Sequence, residues 1–173
     1  MLQRFYPKRI AESSYVIDYE KLYREGYRGI LFDIDNTLVA HGADASERAI
    51  ELFARLKGIG FQTCLISNNS DERVRRFNKK INTNYIHKAN KPFVKNYIKA
   101  TKIMGTRIEN TVFVGDQLFT DVYGANLIGM MTYLVKPIHP KEEIQIVLKR
   151  KLERIVLYFY RRDLAKGRIK KDQ

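Results

Sequence analysis

The stretch from Gly29 to Leu38 most constrains the fold. In it an apolar run, Ile30-Leu31-Phe32, leads into Asp33, Ile34 and Asp35. Consecutive apolar residues without helical spacing describe a strand buried on both faces, the pattern of a parallel sheet. Acids two residues apart project to the same side for as long as strand geometry lasts. Ligands of open α/β sheets bind outside the carboxyl ends of the strands, so an apolar strand that delivers paired carboxylates points to chemistry there. Asp-x-Asp is also an ordinary turn sequence, so the functional reading depends on the residues downstream.

Downstream, strand-like and helix-like segments alternate. Residues 1–28 read as a basic, aromatic N-terminal extension, with a short helix at about 18–24 capped by Asp18. After a loop at His41, Gly42 and Ala43, Asp44 and Glu47 have capping-box spacing. Ile50, Phe53, Ala54 and Leu56 would then form the inner stripe of a helix closed by Gly58 and Gly60. Further strands are expected at 61–66, 85–86, 111–114 and 131–135. Ser70 caps an expected helix over 71–80. Pro92 suits the first position of another, with Phe93, Val94, Tyr97, Ile98 and Thr101 inward and Gly105 at its end. Two more helices run from about 121 to Gly129 and, after Pro137 and Pro140, from about 141 to 162, where Leu148, Leu152, Ile155 and Phe159 recur at helical spacing. The expected fold is a three-layer, Rossmann-like α/β domain: a mostly parallel five-stranded sheet with helices on both faces. A chain of 173 residues suits one such domain over 1–173, with a basic helix and tail over 141–173.

The single Cys64 excludes an internal disulfide and a cysteine metal cluster, and it suits a reducing cytoplasm. No apolar run approaches the ~20 residues of a membrane-spanning helix. The formal charge of +13 concerns partners, not fold: nucleic acid, an anionic membrane surface or a polyanionic substrate are the candidates, beside a merely solvated basic surface.

Four polar clusters sit where elements end or begin: Asp33 and Asp35, Ser67 and Asn68, Lys91, and Asp116 with Asp121. In a parallel sheet the strand ends share one edge, so these groups can meet. Crowded carboxylates repel unless a cation joins them, and oxygen ligands without His or Cys suit Mg²⁺. Ser67, Asn68 and Lys91 offer donors and a positive charge to an anion. A carboxylate nucleophile, a hard metal and anion-binding donors together describe phosphoryl transfer. His41, His87 and His139 are isolated and read as surface or structural residues, and Asn69 and Ser70 read as helix-start residues. Thr37 lies close enough in sequence to touch the site.

Asp33-Ile34-Asp35-Asn36-Thr37-Leu38, Ser67-Asn68, Lys91-Pro92 and Gly115-Asp116-Gln117-Leu118-Phe119-Thr120-Asp121 resemble the four ordered motifs of the haloacid dehalogenase (HAD) superfamily, over about residues 29–135. With Arg4-Phe5-Tyr6-Pro7-Lys8 and the region up to Ala45, the chain is similar to bacterial YqeG-type phosphatases of subfamily IIIA. The resemblance implies that Asp33 attacks phosphorus and becomes an aspartyl-phosphate, while Asp35 acts as general acid and then base. It implies Mg²⁺ held by Asp33, the Asp35 carbonyl and Asp116, phosphoryl oxygens held by Ser67 and Lys91, and Asp121 either orienting Lys91 or supporting the metal shell. An acid at Asp35 fits hydrolysis of a stable phosphomonoester, whose leaving group needs a proton. The gaps Val39 to Thr63 and Asn69 to Asn90 are too short for a cap domain, so an open crevice is expected. It suits a phosphate displayed on something large. Eukaryotic relatives of this type act on phosphatidylglycerophosphate, which makes that lipid the substrate the resemblance implies. Lys149, Arg150, Lys151 and Arg154 beside Ile155, Val156 and Phe159, then Arg161, Arg162, Lys166, Arg168, Lys170 and Lys171, describe either a helix packed on the sheet with a solvated basic face or one lying peripherally on the anionic inner face of a membrane. Two alternatives stand beside the lipid phosphatase: a phosphatase of nucleic-acid ends, and a basic RNA- or membrane-binding adaptor with a vestigial site.

Overall fold

The computed structural model describes residues 2–139 and 144–169, apart from the side chains of 144–148. Six strands form one sheet: β1 (Arg9–Ala11), β2 (Gly29–Phe32), β3 (Gln62–Ile66), β4 (Asn84–Ile86), β5 (Thr111–Gly115) and β6 (Met131–Val135), in the order β1-β6-β5-β2-β3-β4. All five pairings are parallel. β2 is central, with Leu31 opposite Cys64 of β3 on one side and Phe113 of β5 on the other. The chain leaves β2 toward β3 and β4 and returns on the other flank with β5. The strand order therefore reverses around β2, which opens a crevice at the carboxyl ends there.

Alternate strand residues serve opposite layers. Ile30, Phe32, Val112 and Val114 meet α1 (Tyr19–Arg24), α2 (Glu47–Ile59) and α3 (Asp71–Ile81). Leu31, Cys64, Ile66 and Phe113 meet α4 (Lys95–Met104) and α5 (Tyr123–Leu127). Burial on both faces is why these strands carry unbroken apolar runs. A third cluster packs Tyr6, Leu118, Val122 and Leu134 against Val156 and Tyr160 of α6 (Ile144–Ala165).

The sixth strand lies inside the stretch expected to be an extension. Arg9, Ile10 and Ala11 pair with Tyr133, Leu134 and Val135 at the sheet edge, and Phe5 stacks on Tyr123 with ring centroids 4.5 Å apart. Three edge residues with one large apolar side chain carry no strand period. At α2 the cap is Ser46, whose side chain accepts from the Ala49 N–H, while Asp44 pairs with Arg76. The inner stripe of α2 is Ala49, Leu52, Phe53 and Leu56, with Ala54 exposed. α4 starts at Lys95, not at Pro92: Phe93 N–H donates to Asn90 O in a turn, and the Phe93 side chain is 73% exposed. A wide helical turn, Leu118–Val122, takes in Asp121, so the helix expected from there begins at Tyr123. On α6, Leu152 and Ile155 face outward, 52% and 54% exposed, and the buried face is Glu153, Val156 and Tyr160. The expected start of that helix at Lys141, the side chain of Leu148, Pro140, Lys170 and Lys171 lie outside the described residues.

Candidate active site

Asp33 comes directly after β2, and its N–H still donates to Val114 O across the ladder at 3.0 Å. The chain turns immediately afterwards. Asn36 has φ of 63°, a left-handed conformation that Asn tolerates. That turn brings Thr37 back under the acids. Asp116 comes after β5 on the neighbouring strand, and the Leu118–Val122 turn returns Asp121 to the same edge. Gly115 is required there, because a Cβ would overlap the Asp121 carboxylate.

The structure brings Asp33, Thr37, Lys91, Asp116 and Asp121 together, all buried. Lys91 Nζ donates to Asp33 Oδ1 at 2.5 Å and to Asp121 Oδ1 at 2.7 Å. Thr37 Oγ1 donates to Asp116 Oδ1 at 3.1 Å and lies 3.5 Å from Asp33 Oδ2. Asp121 Oδ2 accepts from the Gln117 N–H, so Asp121 both orients Lys91 and adjoins the other acids. Asn68 spends its amide on the Lys91 backbone, accepting from the Lys91 N–H at 2.7 Å and donating to the Lys91 carbonyl at 3.3 Å. Ser67 is buried after β3, and its hydroxyl accepts from the Asn69 N–H.

The Lys91 ammonium bridges two of the three buried carboxylates, Asp33 and Asp121, and a guanidinium, that of Arg150, meets the third, Asp116, so the acids still outnumber their cations. Burial, with the charges of Asp121 and Asp116, pushes Asp33 up to about 8 in spite of Lys91. Burial and Asp121 push Asp116 up to about 7, against Arg150 and Thr37. Burial alone would lower Lys91, but Asp121 and Asp33 outweigh it and hold the ammonium above its ordinary value.

Asp35 points into a different environment. Its carboxylate accepts from the Gly42 N–H at 2.8 Å, Asn69 Nδ2 at 2.8 Å and Arg73 Nη2 at 2.9 Å. Burial alone would raise it, yet these three donors prevail and hold it below the ordinary carboxylate range. Neither Arg73, on α3, nor Asn69 stood out in the sequence, although Asn69 is the next residue after the Ser67-Asn68 pair.

Arg150 of α6 is the other partner that sequence reasoning missed. Its guanidinium pairs with Asp116 Oδ2, donates to the Asp116 carbonyl, and bonds Glu153 Oε2 at 2.9 Å. Glu153 in turn accepts from the Leu118 N–H at 2.7 Å. Glu153 is the one acid between residues 144 and 162, and that isolation was the available signal. The segments β2–β3 and β3–β4 hold one helix each, and no cap domain stands over the edge among the described residues.

Asp33, Asp116 and Asp121 place carboxylate oxygens within 4.8 Å of one another. The donor set is oxygen only, with two acids raised by burial and by neighbouring carboxylates, an imbalance that a divalent cation relieves. The residues present fit Mg²⁺.

Residues 85–137 match the HAD-hydrolase-like family. The chain is 36% identical over 159 residues to the Bacillus subtilis (strain 168) protein named "Probable phosphatase YqeG", covering 91% of this chain and 92% of that one. It is 30% identical over 162 residues to phosphatidylglycerophosphate phosphatase 1, chloroplastic/mitochondrial, of Arabidopsis thaliana, covering 87% of this chain and 46% of that longer protein. Among solved structures, an uncharacterized protein from Listeria monocytogenes serotype 4b shares the fold with a TM-score of 0.52 and 13% identity, over 72% of this chain and 99% of that one.

Proposed function

The chain belongs to the HAD-like phosphatases of the YqeG type, and on that premise we propose that it is a Mg²⁺-dependent phosphomonoesterase with Asp33 as nucleophile. The observation that carries the reading is the buried cluster of Asp33, Lys91, Asp116 and Asp121 at the strand-order reversal. An Asp33 oxygen attacks phosphorus, and the ester oxygen departs with a proton from Asp35. Water, deprotonated by Asp35, then releases phosphate from the aspartyl-phosphate. The Gly42, Asn69 and Arg73 contacts hold Asp35 in its anionic form, the form the second step needs. The contacts must loosen for the first. Lys91 and Ser67 hold the phosphoryl oxygens, while Asn68 fixes the Lys91 backbone. Asp33, Asp116 and the Asp35 carbonyl would hold Mg²⁺, which when bound supplies positive charge beside the phosphoryl oxygens. Asp121 keeps Lys91 aimed.

The substrate that the name of the Arabidopsis thaliana relative points to is phosphatidylglycerophosphate. Two features of this chain support a lipid at an anionic membrane: the +13 charge, and the outward Leu152 and Ile155 among Lys149, Lys151 and Arg154 on α6. Among the described residues no helix is long and apolar enough to cross a membrane, so the contact we propose is peripheral, at the cytoplasmic face. Asp33→Asn should leave the fold intact and lower Mg²⁺-dependent turnover of phosphomonoesters by on the order of 10⁴-fold or more. Undiminished turnover in that variant would remove the assignment.

A further inference from the structure

A groove of about 370 Å³ runs between helix α6 and the edge strand β1 with its neighbour β6, and Asp116 lies in its wall. Ile10, Leu134 and Leu157 give it an apolar lining, and Arg154 and Arg161 add cations from the helix. Arg150, Arg154, Leu157 and Arg161 are spaced by four, three and four residues, so they share one face of α6. The guanidinium of Arg150 is taken up by Asp116 and Glu153, and Lys136, also in the groove, pairs with Glu12 at 2.6 Å. Arg154 and Arg161 form no ion pair among the described residues. At ~1.5 Å of rise per residue they sit roughly 10 Å apart along the helix, on either side of Leu157.

We propose that this groove is a second recognition site, which binds the part of the substrate remote from the scissile phosphate. An apolar segment would lie on Ile10, Leu134 and Leu157, and a second anionic group would sit at Arg154 and Arg161. This inference rests on the phosphatase reading and adds where, and by which residues, an amphiphilic substrate is told from a small one. The chemistry favours an amphiphile over a nucleic-acid end. Single-stranded nucleic acid calls for aromatic faces on which bases stack, and no Phe or Tyr lines the groove among the described residues. A small sugar phosphate would leave the apolar walls unused. The groove also borders the outward face of α6, where Leu152, Ile155 and Tyr158 are exposed, so an amphiphile anchored in a bilayer can reach it.

The test compares wild type with Arg154→Gln/Arg161→Gln, both exposed positions, with folding checked by circular dichroism. The probes are dihexanoyl phosphatidylglycerophosphate and glycerol 3-phosphate, which carries the same kind of phosphomonoester without the second anion or the tails. We expect the ratio of their kcat/KM values to fall on the order of tenfold or more in the double variant. Calorimetric binding of the lipid to the Asp33→Asn protein should weaken by a similar factor when the two glutamines are added, and Arg154→Lys/Arg161→Lys should recover part of it. An unchanged ratio and unchanged binding would overturn the groove while leaving the phosphatase reading intact. Wild type that hydrolyses neither probe would remove the phosphatase reading, and the calorimetric comparison would still decide the groove. A 5′-phosphorylated oligonucleotide that binds more tightly than the lipid, and loses that binding in the double variant, would overturn the amphiphile as its occupant.

Discussion

Asp33 and Asp35 are separated by a single residue, yet the structure gives them opposite surroundings. Asp33 is buried beside two other carboxylates and, in spite of Lys91, is pushed up to about 8. Asp35 faces a backbone N–H, an amide and a guanidinium and is held below the ordinary range. Identical side chains thus receive different tasks from environment alone. One belongs to a cluster short of positive charge and suited to a metal; the other is kept as a ready base. Their contributions to stability differ in sign. A carboxyl raised in the folded state favours folding at low pH, and that contribution is lost as pH rises from about 4 toward about 8. Asp35, lowered in the folded state, contributes above the ordinary carboxylate range, and its contribution is lost as pH falls through its depressed folded value.

The contrast can be broken from either side. The largest effect on stability is expected at Arg150, which compensates both Asp116 and Glu153. Arg150→Ala should cost about 3 kcal/mol at neutral pH by stranding two buried acids. Mg²⁺ should raise the Tm of that variant more than that of wild type, which thermal melts with and without the ion would read. Next comes Arg73→Met, which removes the cation from Asp35 but not its other donors. We expect a cost of about 2 kcal/mol and a shift of the acid limb of the pH–rate profile to higher pH, since Asp35 would move back toward the ordinary range. An unmoved limb would detach Asp35 from the proton transfers. The smallest effect is expected at Asp44, an exposed partner of Arg76, which also donates to the Gly42 carbonyl. Asp44→Ala should change stability by less than ~1 kcal/mol and move the Asp35 titration slightly upward, through the loop that presents the Gly42 N–H.

Whether an element was legible in the sequence depended on where its signal lies. Strands β2, β3 and β5 were readable because burial on both faces leaves continuous apolar runs. β1 was not, because an edge strand of three residues needs only one such side chain. The helices at Ser70, Gly60 and Gly105 announced their own ends, with Ser70 accepting from the Arg73 N–H and both glycines in left-handed conformations. On α6 the run from Ile155 to Tyr160 is apolar all round, so spacing alone could not say which stripe faces the sheet. Position along the chain was enough to gather Asp33, Lys91, Asp116 and Asp121 at one edge. Arg150 and Arg73 reach their acids across 34 and 38 residues, and pairings at that separation leave no local pattern.

The central claim is that neighbouring carboxylates at one sheet edge differ because of what surrounds them, and that a divalent cation suits one and not the other. Carbon-13 NMR titration of the aspartate carboxyl groups, with and without Mg²⁺, tests it most directly. In metal-free protein Asp33 and Asp116 should titrate far above the ordinary range and Asp35 below it, and Mg²⁺ should lower the first two while leaving Asp35 nearly where it was. Three carboxyls titrating together near their ordinary value, with no response to the ion, would contradict the account.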